Sequence, residues 1–155
     1  MGVIIRAYAP CDCASLATVY RRSIREIAAK DYTPEQVIAW APDVLDMEKF
    51  AIKLASRPTF VAEMDGVIAG FTDLEPDGHI DLFFMNPDFK GQGVARALLE
   101  HVIALAQQQK VLRLYAEVSR TARGFFEMYG FAVLEAQEVQ VRGQTLQNFK
   151  MERRL

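Results

Sequence analysis

Met85-Asn86-Pro87-Asp88-Phe89-Lys90-Gly91-Gln92-Gly93-Val94-Ala95-Arg96-Ala97-Leu98-Leu99 is the stretch on which the fold turns. Ahead of it an apolar strand, Leu82-Phe83-Phe84-Met85, is stopped by Asn86-Pro87. Behind it the apolar residues fall at 94, 95, 98, 99, 102, 103 and 106, the period of an amphipathic helix laid on a sheet. The first turn of a helix carries N–H groups without intrahelical partners, and the macrodipole adds partial positive charge there. Gly91 and Gly93 have no side chains to keep a phosphate from those amides, and Lys90 adds a cation at the mouth. The stretch therefore reads as a pyrophosphate cradle.

Spacing narrows the kind of cradle. A P-loop ends in Gly-Lys-Ser/Thr, which is absent, and a dinucleotide fingerprint places its glycines directly after a strand with Gly or Ala at the sixth position. Here five residues, 86 to 90, intervene and the sixth position is Arg96.

The remaining sequence describes an ordinary globular chain. Its 155 residues are one domain's worth, 51% hydrophobic and 25% charged. A net charge of −2 offers no attraction to nucleic acid or to an anionic membrane surface. No apolar run approaches the ~20 residues of a membrane span. The beginning of the chain reads as a strand rather than an export signal. Cys11 and Cys13 are the only thiols; they are too close for an unstrained disulfide and too few for a metal set. Free thiols of this kind point to a reducing cytoplasm.

In chain order, Val3–Tyr8 is expected as a strand and Asp12 as the cap of a helix over 13–29. Thr33-Pro34-Glu35-Gln36 is a capping box with proline at the first helical position, and Val44–Leu54 a further helix. Thr59–Met64 and Val67–Leu74 form a hairpin about Asp65-Gly66, and His79–Met85 is the next strand. After the glycine helix come a strand over 111–119, a helix capped by Ser119 or Thr121 that ends at Tyr129-Gly130, and a hairpin of 134–141 with 145–152. The strand–helix–strand step from 79 to 119 requires a right-handed crossover. The expected fold is α+β: a mixed, mostly antiparallel sheet of about seven strands with one parallel step.

Lys90-Gly91-Gln92-Gly93-Val94-Ala95 resembles the acetyl-CoA motif of the GNAT superfamily, Gln/Arg-x-x-Gly-x-Gly/Ala, with lysine at its first position. A second motif agrees: Ala122-Arg123-Gly124-Phe125-Phe126-Glu127-Met128-Tyr129-Gly130-Phe131 stands where GNAT proteins carry Ala, then Phe-Tyr-Glu, then Gly-Phe. The element order matches along nearly the whole chain. More narrowly, Tyr32 to Trp40 and the C-terminal Val141-Arg142-Gly143 and Asn148-Phe149 resemble the YafP-like bacterial acetyltransferases. The resemblance implies a 1–155 acetyltransferase domain that moves an acetyl group from acetyl-CoA to a small-molecule or peptide amine by direct attack, with a homodimer among its possible assemblies. The rival reading is a non-catalytic acyl-CoA-binding module. A dinucleotide-binding oxidoreductase ranks third, given Arg96 and the lack of a second nucleotide half.

Amide formation from a thioester needs a gripped cofactor, a polarised carbonyl, a base for the amine and an acid for the thiolate. The resemblance assigns the grip to Lys90 through Arg96, including Gln92, Val94 and Ala95, and to the backbone of Phe83, Phe84 and Met85. Ser119, Phe125 and Phe126 complete the cofactor side. Asp81, if buried with a raised pKa, is the first candidate base, with His79 and Glu117 as alternatives. Phe126 occupies the position of the usual tyrosine acid, so Tyr129 or Ser119 is expected to replace it. Tyr20, Tyr32, Trp40 and Phe71 are candidate acceptor-lining residues, together with His79 and the C-terminal hairpin.

Overall fold

The computed structural model describes residues 2–155. The elements are β1 (Ile4–Ala7), α1 (Cys13–Arg22), α2 (Pro34–Trp40), α3 (Met47–Ala55), β2 (Thr59–Met64), β3 (Val67–Asp73), β4 (Phe83–Met85), α4 (Val94–Gln108), β5 (Arg113–Ser119), α5 (Arg123–Met128), β6 (Ala132–Val141) and β7 (Gln144–Arg154). The seven strands form two antiparallel sheets, β1-β2-β3-β4 and β5-β7-β6. Between them β4 and β5 run parallel but meet only at a bridge of His79 with Tyr115. Its bonds are Ile80 N–H to Tyr115 O at 2.9 Å and Tyr115 N–H to Gly78 O at 3.1 Å. Gly78 is required there: its φ is +97° and a Cβ would stand 2.1 Å from the Arg113 carbonyl.

Beyond that bridge the strands diverge. The strand expected over His79–Met85 is reduced to Phe83–Met85, because residues 81–82 bond side chains of β3 rather than a neighbouring ladder. The buried Asp73 carboxylate accepts the N–H of Asp81 (2.8 Å) and Leu82 (3.0 Å), and Thr72 Oγ1 donates to Leu82 O at 2.7 Å. Phe83 and Phe126 pack edge-on at 5.3 Å across the opening, and Phe126 in turn meets Phe131 at 5.0 Å.

One helix joins the two sheets. Val94 and Leu98 of α4 pack with Ala62, Met64 and Ala69 of the first sheet. Leu99, Val102, Ile103 and Ala106 pack with Leu114, Val118, Phe149 and Met151 of the second. The opposite face is closed by α1 to α3, with Leu16, Val19 and Leu54 against Val61 and Phe71. Among the described residues no helix is long and apolar enough to cross a membrane.

Local chemistry explains the boundaries. Thr33 Oγ1 accepts the Gln36 N–H and Gln36 Oε1 accepts the Thr33 N–H, so the capping box forms as expected. Helix α3 begins at Met47 rather than Val44 because Asp46 caps it, accepting the Lys49 N–H at 3.1 Å. The Asp12 carboxylate does not cap α1; it turns back to accept the Ala9 N–H at the start of the short Pro10–Asp12 turn and a two-pronged Arg6 contact at 2.8 and 2.9 Å. The helix expected over 13–29 is not continuous α-helix: after Arg22 it widens into a π turn at Ser23–Ile27 and tightens again at Ala28–Lys30.

Candidate active site

Between β4 and α4 the chain is held in shape by a buried asparagine. Asn86 donates its side-chain N–H to Ile68 O (3.0 Å) and accepts the Asp88 N–H (3.0 Å), while its own backbone N–H reaches Ala69 O. Arg22 clamps Asp88 from α1 through two bonds of 3.0 and 2.9 Å. Two amides of the loop are consumed internally: Lys90 N–H by Pro87 O and Gln92 N–H by Phe89 O. Gly91 and Gly93 lie in the left-handed region at φ +78° and +82°, where a side chain is strained, and open space surrounds the place of each absent Cβ. Among the described residues the N–H groups of Gly91, Gly93, Val94, Ala95 and Arg96 have no acceptor; the first bond of α4 is Ala97 N–H to Gly93 O. Lys90 forms no ion pair among the described residues, whereas Arg96 leans on Glu100 at 2.8 Å, which raises its pKa further.

These donors open onto an apolar cavity of about 480 Å³. One wall is Phe83–Met85, Lys90, Gly91 and Gly93 to Arg96; Gln92 lies outside it. The facing wall is Ser23, Ile24 and Ile27 of the π turn and Ala28 just after it, with Ser119, Thr121, Ala122 and Phe125 at the end. The π turn forms part of the cavity wall and was missed by sequence periodicity, since the same apolar residues satisfy either winding. It brings Ser23 Oγ to accept the Met85 N–H at 3.3 Å. Because the Asn86 N–H turns toward β3, backbone alternation turns those of Met85 and Phe83 the other way, toward the gap.

A second cavity, of about 270 Å³, lies between α2, the β6–β7 hairpin and the first sheet. Tyr20, Tyr32, Trp40 and Phe84 line it, with Val139, Val141, Leu146 and Asn148 of the hairpin and the charged Lys53, Asp81 and Glu117. A recess of about 70 Å³ in the gap between β4 and β5 lies between the two. Trp40, Phe84 and Ser119 line all three spaces, so the cavities meet at those side chains.

The fold matches solved acetyltransferases throughout. A profile of the acetyltransferase (GNAT) domain matches residues 28–153. The chain belongs to the GNAT acetyltransferase family. It is 34% identical to the uncharacterised N-acetyltransferase YafP of Escherichia coli K12 over 97% of this chain and 95% of that one. A crystal structure of a GCN5-related N-acetyltransferase from Rhodopseudomonas palustris superposes with a TM-score of 0.95 at 33% identity, covering 100% of this chain and 97% of that one. The PaiA N-acetyltransferase of Thermoplasma acidophilum, solved with coenzyme A, has the same fold, with a TM-score of 0.78 at 20% identity and 100% of both chains covered.

Within the GNAT frame the remaining candidates sort by position. Phe126 is 2% exposed and serves as a core wedge. Tyr129 follows α5 with its ring on Phe125 at 4.9 Å and lines none of the three spaces. Ser119 Oγ accepts the Ala122 N–H at 3.1 Å and keeps its own O–H to donate. Phe71 is a correction: it is wholly buried between Phe50 and Phe84 and reaches neither cavity.

Asp81 also departs from expectation. Burial pushes its pKa up, but Arg57 at 2.9 Å and Lys53 at 3.3 Å outweigh this and hold it below the usual carboxylate range. It is a paired anion rather than a raised-pKa base. His79 does not line the acceptor-side cavity; its Nδ1 is 2.7 Å from Glu75 and its Nε2 is 2.6 Å from Glu117. Burial lowers its pKa, and the two carboxylates more than reverse this, leaving it raised. Glu117 stands on the wall of both the acceptor-side cavity and the recess.

Proposed function

We propose that residues 1–155 act as one cytoplasmic domain that transfers the acetyl group of acetyl-CoA directly to a primary amine within a ternary complex. The observation that carries this reading is the meeting of the two cavities at Trp40, Phe84 and Ser119 across an open strand gap. The donor set suits the cofactor: five unpartnered N–H groups and Lys90 would hold a diphosphate, and the apolar cavity behind them suits the pantetheine arm. When bound, acetyl-CoA supplies an acetyl group activated as a thioester.

This chain's own residues supply the rest. The Phe83 N–H, turned toward the gap, can donate to the carbonyl oxygen as it gains negative charge. Glu117 can accept the proton of the incoming ammonium, directly or through one water, with His79 holding the carboxylate in place. Ser119 O–H can donate to the sulfur as its bond to carbon breaks and the new carbon–nitrogen bond forms. The exposed Cys11 and half-buried Cys13 stay free thiols, in keeping with a reducing compartment.

Release of CoA, followed with a thiol reagent across a panel of primary amines, tests the proposal. Saturable, amine-dependent release is the expected outcome. Tight CoA binding with no release for any amine would instead mark a binding module.

A further inference from the structure

We infer that the acceptor is a small primary amine carried on an apolar, ring-sized body. This deepens the reading above and rests on it. The acceptor-side cavity, at about 270 Å³, is smaller than the 300–1,000 Å³ usual for drug-sized ligands. Away from the junction its wall is mostly apolar, Tyr32, Val139, Val141 and Leu146, with Trp40 edge-on to Tyr32 at 5.6 Å; its polar part is Gln147 and Asn148, whose Oδ1 is buried without a hydrogen-bond partner. Such a wall favours an apolar body and offers no carboxylate to a second cationic group of the acceptor.

The charged groups on and behind this side of the cavity carry one carboxylate more than cations: Asp73, Glu75, Asp81 and Glu117 share Arg57, Lys53 and the His79 imidazolium. Asp81 faces Arg57 and Lys53, and Glu117 faces His79. One ammonium meets that single excess carboxylate, whereas the second charge of a polyamine or of an amino-acid head group finds no partner. The side toward solvent is drawn together by three bonds between α2 and its approach and the hairpin. Gln36 Nε2 donates to Thr145 O (2.8 Å), Arg142 Nη1 to Ala39 O (2.7 Å) and Tyr32 O–H to Gln147 O (2.6 Å). An extended peptide needs an open groove where these bonds lie.

Trp40 is the only tryptophan of the chain and lines this cavity, so its fluorescence reports acceptor binding without turnover. With the protein saturated in CoA, 2-phenylethylamine, spermidine and Nα-acetyl-lysine amide are titrated in turn. The expected result is at least about tenfold tighter binding of 2-phenylethylamine, the scale set by burying one ring. Leu146→Asn should reduce that preference to within about twofold and leave CoA affinity unchanged, since Leu146 does not line the cofactor-side cavity. Val141→Asn makes the same test should Leu146→Asn fail to fold.

Spermidine or the lysine amide binding as tightly as 2-phenylethylamine would overturn the inference, as would a folded hairpin variant that keeps the full preference. The two readings fail separately. Selective binding of 2-phenylethylamine with no CoA release from any amine removes the transfer reaction and keeps the pocket. CoA release with lysine acceptors but not with 2-phenylethylamine does the reverse.

Discussion

The cofactor-side and acceptor-side cavities share three side chains at their meeting point and differ in everything else. The first is built largely from one continuous stretch, residues 83–96, and its polar contacts are backbone N–H groups whose positions follow from a strand end, two left-handed glycines and a helix start. The second is assembled from side chains of α1, α2, α3, β5, β6 and β7 around the end of β4, and its polar lining is side chains too: paired charges, hydroxyls and the amide of Asn148. A site made of backbone resists substitution except where a side chain intrudes. A site made of side chains can be retuned one residue at a time.

The contrast is broken most severely at Gly93. Gly93→Asp places a carboxylate among the N–H donors; no atom stands in its way, and aspartate is among the residues that tolerate the left-handed backbone. The chain therefore folds at a cost of about 1 kcal/mol, while acetyl-CoA binding weakens at least about 100-fold by like-charge repulsion. Calorimetry checks this, and unchanged affinity in a folded variant removes the cradle. The acceptor side should respond differently. Glu117→Gln lowers kcat about 100-fold with the KM for acetyl-CoA unchanged, the scale of losing a general base; steady-state kinetics that show the reverse split would place Glu117 on the wrong side.

At the junction a smaller effect discriminates two hydroxyls. Ser119→Ala should lower kcat about tenfold, whereas Tyr129→Phe, outside all three spaces, should change it by less than about twofold. Reversed magnitudes would make Tyr129 the acid.

The smallest effect is on stability. His79 has a raised folded pKa, so the charged imidazolium between Glu75 and Glu117 contributes stability that is fully present below about pH 6.5 and lost as pH rises through the folded value. The melting temperature of His79→Gln should therefore fall furthest below the wild type in acid and converge on it in alkali. A constant difference across pH would exclude the charged pairing.

The same contrast explains what the sequence could tell. Helix α4 was legible because its stripe is periodic: Val94, Leu98, Leu99, Val102, Ile103 and Ala106 are all buried. The Thr33–Gln36 box was legible because both partners lie within four residues. The short β4 was not, because the carboxylate that draws residues 81–82 off the ladder is Asp73, on another strand. Asp81 looked like a base for the same reason: its neutralising partners, Lys53 and Arg57, sit at and just beyond the end of α3. Lys53 gave no sign of lining a cavity, since only the packing of α3 against the strands brings it there. The π turn at Ser23–Ile27 leaves composition and polarity untouched and shifts only the winding.

The central claim concerns five backbone amides, and backbone amide chemical shifts read them directly. On titration of the ¹⁵N-labelled protein with CoA, the amides of Gly91, Gly93, Val94, Ala95 and Arg96 should move downfield together as they acquire acceptors, while those of Lys90 and Gln92, already bonded to Pro87 and Phe89, move little. Saturable binding that leaves those five amides in place would contradict the account.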